Sequence, residues 1–433
     1  MCEVTVISDL RDAFNADFRP EDYQRLLRRL DERAGTKVEF RVAETPVFLP
    51  LAQLESMADS GIALTERLLA WPEYLKGAEK SIPEGFQVAG LPEDLRRSHP
   101  NFLTADFALV KTAGSELQPR LVEIQAFPSV FAYQAMLCEE YTKVYGLPES
   151  LGVFLGGLDR DGFWALFRET VVGNHAPENV VLTEVDPWRQ KTLPDFLLTA
   201  ERLGIAVVDI ASLVPVGRKL HYRNKLGSLV PIHRIYNRAI ADEMMARRVE
   251  LPFRLTDPWD VEWAGHPNWY FLISKYAVPW FCLPEAGKAG SVVPPAVFLS
   301  DFLNGDGLER LRAAGVPLSD AAAGETVYEE LLLKPLFSFA GKGIQFAPTR
   351  AELEGIGEEE RGNYLLQQRM RFEPTIRTPH GLTQAEIRIL YLWPDGGKLT
   401  PAISLVRLGR GKMMGVDHNR NQEWVGASAA LWR

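Results

Sequence analysis

Apolar and polar positions along this chain follow a helical spacing near the N-terminus and a strand-like alternation near the C-terminus. PEDYQRLLRRLDERAG (20–35) predicts an amphipathic helix, with Pro20 at its start and Gly35 just past its end. PLAQLESMADSGIALTERLLAW (50–71) predicts a second helix, broken near Gly61. DFALVKTAGSELQPRLVEIQ (106–125) predicts two strands joined by a polar turn. Between 178 and 237 the pattern changes. NVVLTEV and IAVVDI are strand-like, and the capped amphipathic stretch PWRQKTLPDFLLTAERLG separates them. That is a βαβ unit, which implies a parallel sheet. KLHYRNKLGSLVPIHRIYNRAI follows as a hairpin and a strand. Pro- and Gly-rich stretches near 284–295 and 304–317 predict loops around a short helix. The rest alternates short strands with polar turns: TVYEELLLKPL, GIQFAP, NYLLQQRM, AEIRILYLW and LTPAISLVRL. The expected class is α/β (α+β) with mixed sheets.

Composition narrows the function. The chain has 433 residues, 46% of them apolar, enough for two or three structural units. A net charge of −9 argues against a broad nucleic-acid surface. No run reaches the roughly 18 apolar residues of a membrane helix. The opening MCEVTVISDLRDAFNADF has acids where a secretory signal is basic and then apolar. Cys2, Cys138 and Cys282 lie far apart, so reduced thiols in a cytosol are expected. Among the seven histidines there is no HExxH, which argues against zinc. No GxGxxG accompanies the βαβ unit, so no dinucleotide is expected there. No GxSxG and no evident His-paired cysteine point to a hydrolase.

The stretch LLLKPLFSFAGKGIQF (331–346) carries the most chemistry. Pro335 biases Lys334 toward extended backbone. The glycines of SFAGKGI let backbone N–H groups approach an anion, and Lys342 adds charge at the tip. It is not a Walker A loop, because Leu336 stands where the first glycine belongs and Gly343 where Ser or Thr belongs. A tight hairpin with a solvated lysine accounts for the same residues equally well.

The order of the neighbours goes further. Lys334 with its glycine loop, then YLLQQRM, EIRILYL and SLVRLGRGKMMGVDHNRN, resembles the nucleotide-binding half of the ATP-grasp superfamily. The resemblance implies that Lys334, Ser338, Gly341, Lys342 and Gly343 hold phosphates, with Lys275 of PNWYFLISKYAVPWF as a second lysine on a helix. It places Gln367, Gln368 and Met370 at the adenine hinge, although many members have an acid where this chain has Gln368. Arg388 and Arg407 take catalytic positions toward phosphate or carboxylate. Arg410 and Lys412 face substrate, and Asp417 and Asn419 are read as a turn. Arg234 or Arg238 could serve a substrate as well. The metal-binding strands that usually come next are missing at the C-terminus. ADFALVKTAGSELQPRLVEIQAFPSV (105–130) has their shape, with Asp106, Glu123, Gln125 and a trailing Pro128; Gln125 replaces the usual Asn. Residues i and i+2 of a strand share a face, and oxygen ligands of this kind suit Mg²⁺.

The chain therefore resembles circularly permuted ATP-grasp proteins, as in the eukaryotic glutathione synthetase and glutathionylspermidine synthetase groups. The resemblance implies a permuted ATP-grasp fold with an added βαβ substrate-binding unit. Residues 1–150 would carry N-terminal helices and the metal half, 151–265 the substrate unit, and 266–433 the nucleotide half. The implied function is an ATP- and Mg²⁺-dependent carboxylate–amine (or thiol) ligase acting through an acyl phosphate. Its partners would be small or peptide-like acids and amines, with no nucleic acid and no membrane; a homodimer stays open. A nucleotide-binding regulator without catalysis, or a small-molecule kinase, are the rival readings.

Overall fold

The computed structural model describes residues 7–111, 117–318, 326–337, 343–411, 414 and 421–433. Its largest sheet has seven strands drawn from both ends of the chain. The order runs Val47–Leu49, Gly426–Trp432, Thr400–Gly409, Gly381–Leu392, Phe102–Lys111, Leu117–Gln125, with Ile376–Thr378 added beside Gly381–Leu392. The hairpin expected at 106–125 is present, its strands being Phe102–Lys111 and Leu117–Gln125; the turn at 112–116 lies outside the described residues. Phe102–Lys111 also pairs antiparallel with Gly381–Leu392.

Alternation along these strands makes two different faces. Ala105, Phe107, Ile387, Ile389, Tyr391 and Val406 enter one core together with helix Leu51–Leu69. That helix is continuous, contrary to the expected break at Gly61. Gly61 is instead a contact point, because a Cβ there would sit 2.1 Å from the Tyr391 hydroxyl oxygen. The helix keeps its glycine to approach the sheet closely, and the hydrogen bonds of neighbouring turns hold it together. The opposite face is apolar at one end, where Phe102, Leu390, Ile403 and Leu405 pack under helix Phe131–Val144. At the other end it is charged.

The βαβ unit forms as expected. Strands Val180–Glu184 and Ala206–Asp209 are parallel and joined by helix Leu193–Leu203, which ends at Gly204 with φ 74°. Arg234–Asn237 and then Glu262–Ala264 extend this sheet on the other side, both parallel. The strand order reverses between Val180–Glu184 and Arg234–Asn237, so the carboxyl ends of these two strands flank a crevice of the kind that receives ligands. The segment 214–231 is a small three-stranded antiparallel sheet. A last antiparallel sheet contains Ala296–Phe298, Tyr364–Gln368, Leu331–Pro335 and Gln345–Phe346. Its Leu331, Leu333 and Leu366 face a separate core, which leaves Lys334, Leu365 and Gln367 on the other side. The first expected helix spans Pro20–Ala34, with Gly35 left-handed at φ 64°. Cys138 is buried and Cys282 half-buried, and both are free; Cys2 lies outside the described residues. No helix among the described residues is long and apolar enough to cross a membrane.

Candidate active site

The charged end of the seven-stranded sheet is built by strand register. Asp106 lies opposite both Arg388 and Glu123, and Glu386 lies opposite Arg407. Asp106 is only 2% exposed. Arg388 grips it with both ends of its fork: Nε donates to Oδ1 at 2.5 Å and Nη2 to Oδ2 at 2.7 Å. Arg407 Nη1 adds a bond to Oδ2 at 3.0 Å and another to Glu386 Oε1. Burial pushes the Asp106 pKa up, but Arg388 and Arg407 together pull it below the ordinary carboxylate value. Glu386 ends above its ordinary value. Burial dominates there, and Asp106 adds to it against the pull of Arg407 and Arg388.

This arrangement adds to the role expected of Asp106. Three guanidinium hydrogen bonds fall on its two oxygens, one on Oδ1 and two on Oδ2, so Asp106 braces two arginines and keeps a lone pair on Oδ1. Glu123 and Gln125 lie side by side on one face of Leu117–Gln125. Among the described residues, no group of three or more His, Cys, Asp or Glu could hold a metal ion.

Two lysines approach the acidic face from other segments. Lys275 Nζ is 3.6 Å from Glu123 Oε1. It sits in a turn between helices Trp269–Leu272 and Ala277–Phe281, not on a helix as expected. The Ser274 hydroxyl accepts the backbone N–H of Tyr276 and donates to the Phe271 carbonyl, and so interrupts the helix at that point. Lys334 is 6% exposed and donates to Gln367 Oε1 at 2.5 Å. Burial lowers its pKa to about 8; Lys275 pushes the same way, while Glu123 and Glu386 oppose it. Lys334, Lys275, Glu123 and Glu386 are thus within electrostatic reach of one another. Gln367 is 1% exposed, and its Nε2 is buried with no hydrogen-bond partner among the described residues. Gln368 alternates to the other side, and its backbone N–H donates to the Pro295 carbonyl. Met370, just past the strand, is half-buried.

The remaining expected residues divide. Gly343 is left-handed at φ 75° and packs on Pro335. Ser338, Gly341, Lys342, Lys412, Asp417 and Asn419 lie outside the described residues. Arg410 bonds Thr378 Oγ1 at 3.1 Å, beyond the end of the charged ladder. Arg234 is not open to a substrate: it is buried and bonds Glu262, Asp395 and the carbonyls of Thr170 and Val171. Arg238 is buried as well, 5% exposed, just past the carboxyl end of Arg234–Asn237. It bonds Asp195 at 3.0 Å and the Ser129 carbonyl at 2.6 Å, and its Nε lacks a partner. Glu184, at the end of the neighbouring strand, has its carboxyl pushed up to about 8 by burial.

Glu386 is the residue that motif reading missed. Its signal was present in EIR, two positions before Arg388 and therefore on the same strand face.

No family model matches the chain, and no curated protein matches it. Among solved structures it is similar to a glutathione synthetase-like effector from Globodera pallida in its apo form. That likeness has a TM-score of 0.54 at 11% identity and covers 95% of this chain and 97% of the other. The chain shares that protein's overall fold. A putative gamma-glutamylcysteine synthetase from Methylobacillus flagellatus is matched at 12% identity over 86% of this chain and 88% of that one. Its TM-score of 0.37 is too low to align the two folds.

Proposed function

We propose that this chain is an ATP-dependent ligase that joins a carboxylic acid to an amine or thiol through an acyl phosphate. It would use the ATP-grasp fold with its metal half placed first in the chain. The observation that carries this reading is the meeting of Lys334, Lys275, Glu123 and Glu386, from distant parts of the sequence, beside the two arginines braced by Asp106.

Each group has a task in such a reaction. Lys334 and Lys275 supply positive charge for a triphosphate. The unpartnered Gln367 Nε2, one strand away from Lys334, is a donor available to the nucleotide. Glu123 and Gln125 would hold magnesium, with phosphate and water oxygens completing the set. When bound, that ion neutralises charge on the transferring phosphoryl group. Arg388 and Arg407 keep part of their side-chain surface exposed, 17% and 22%, and would offer their charge to the substrate carboxylate or the phosphate it receives. Because Asp106 fixes both forks in advance, they need no reorganisation as charge develops. Positioning and electrostatics suffice; no protein nucleophile is required.

One observation favours a second reading, a nucleotide-binding protein without catalysis. The Asp106 carboxylate is paired with two arginines, which leaves few free acids for a metal. Calorimetry with a non-hydrolysable ATP analogue tests the primary reading on wild type, Lys334→Ala and Glu123→Ala. The expected result is binding that strengthens with Mg²⁺ and weakens in both variants. No binding by wild type would overturn it. Binding that ignores Mg²⁺ and Glu123, with no ADP release in the presence of acids and amines, would favour the second reading.

A further inference from the structure

Among the described residues, one buried carboxylate oxygen has no hydrogen-bond partner, and it lies near Lys275 of the candidate site. Asp242 follows the strand Arg234–Asn237 out of the parallel sheet and sits in the first turn of Ala241–Arg247. Its Oδ2 accepts the Tyr270 hydroxyl at 2.8 Å. Its Oδ1 is buried and makes no hydrogen bond. Among the described residues, it is the sole buried carboxylate oxygen in that condition. Every other buried acid discussed above has a donor: arginines for Asp106, Arg407 for Glu386, and backbone N–H groups for Asp195 and Glu184.

The surroundings connect this oxygen to the chemistry. Tyr270 leads into the segment that carries Lys275, and its ring packs edge-on against Phe127, two residues past Gln125, with centroids 5.7 Å apart. Asp242 feels the charge of Lys275, and Tyr270 that of Glu123. Burial raises the Asp242 pKa, with Tyr270 and Lys275 opposing, so its ionised form is left short of compensation. Asp242 therefore leads from the parallel-sheet strand Arg234–Asn237 toward Lys275, the lysine paired with Glu123.

We infer that Asp242, oriented by Tyr270, is the binding subsite for a cationic amine, whose ammonium group donates to Oδ1. This rests on the ligase reading above and names the class of its acceptor: a primary amine that arrives as its ammonium ion, in preference to a neutral alcohol. The ammonium passes one proton to Asp242 Oδ1, the freed nitrogen lone pair attacks the acyl carbon, and phosphate leaves with the second proton as the amide forms. A carboxylate already committed through one oxygen selects a compact donor, and an ammonium brings both the N–H and the charge.

The test uses propylamine at neutral pH, where it is the ammonium ion, and propan-1-ol as its neutral counterpart. Binding is followed by saturation-transfer NMR on the full chain, with a non-hydrolysable ATP analogue and Mg²⁺ present. Wild type is expected to bind propylammonium and not propanol. Asp242→Asn is expected to weaken the amine by about tenfold or more, while the ATP-analogue Kd, read separately by calorimetry, stays within about twofold. Tyr270→Phe, which keeps the carboxylate, is expected to retain amine binding within about threefold, and Asp242→Glu to restore part of it. Equal amine binding by wild type and Asp242→Asn would overturn the inference. So would nucleotide binding by wild type with no amine response, which would leave the nucleotide reading standing. If wild type binds neither probe, the ligase reading falls and takes this subsite with it.

Discussion

Two arginine–carboxylate networks are built from the same residue types and do opposite things. Around Arg234 the guanidinium is the buried partner, 2% exposed, while Glu262 and Asp395 are 59% and 63% exposed. Its remaining bonds go to main-chain carbonyls at the end of helix Arg160–Val172. This network ties the parallel sheet to the hairpin that carries Asp395. Around Asp106 the burial is reversed. The carboxylates are hidden, at 3% and 7% for the Asp106 and Glu386 side chains, and Arg388 and Arg407 keep exposed surface. A buried arginine with solvated acids is a tether. Buried acids beneath arginines that keep about a fifth of their side-chain surface exposed leave positive charge facing outward. The direction of burial, and not the number of ion pairs, separates the structural cluster from the candidate functional one.

The largest way to break this contrast is at the buried acid. Asp106→Asn removes the charge that two guanidinium groups share, and the variant is expected to lose about 3–5 kcal/mol of stability in urea unfolding. A loss below about 1 kcal/mol would mean that the arginines do not depend on it. Next comes Lys334→Met, which deletes a buried charge-assisted donor from the site. ATP-analogue affinity is expected to fall roughly ten- to a hundredfold by calorimetry. Arg234→Met should cost about 1–2 kcal/mol in the same unfolding assay, because its acids can return to water. It should leave nucleotide affinity unchanged, and any marked loss of affinity would collapse the distinction between tether and presented charge.

The same lysine gives a pH dependence with two opposite signs. Lys334 has a folded pKa of about 8 against an ordinary 10.5. A depressed lysine favours folding when neutral, so its contribution is fully present above 10.5 and is lost as pH falls through about 8. Wild-type stability relative to Lys334→Met should therefore rise between these two values. Nucleotide affinity should fall over the same interval, since phosphate needs the charged lysine. Parallel trends in the two measurements would contradict the placement of Lys334 at the ligand.

Much of this was legible in local pattern. The helix Pro20–Ala34, the βαβ unit and the hairpin at 102–125 follow from periodicity and capping, which act over a few residues. Lys334 and Gln367 could be named only through the resemblance in the order of their motifs, and here the two meet in a hydrogen bond. What stayed hidden depends on distant contacts. Gly61 reads as a helix breaker until Tyr391, far along the chain, is seen packed against it. The arginine partners of Asp106 come from the register with Gly381–Leu392, which places Arg388 opposite it. Asp242 and Tyr270 carry no motif, and only tertiary packing joins them. Glu386 was the one residue that alternation alone could have supplied.

The seating of Phe102–Lys111 between Leu117–Gln125 and Gly381–Leu392 bears on how the chain is made. During synthesis the early hairpin leaves the ribosome long before its neighbour exists. For that interval it carries an unpaired edge and an acid destined for burial without its two arginines. Pairings so distant in sequence form slowly, and such open edges invite association with other chains. The ladder can close only after Gly381–Leu392 has emerged. Any ligand site on this ladder must therefore wait for Gly381–Leu392 and Thr400–Gly409, and newly made copies should lean on chaperones until those strands arrive.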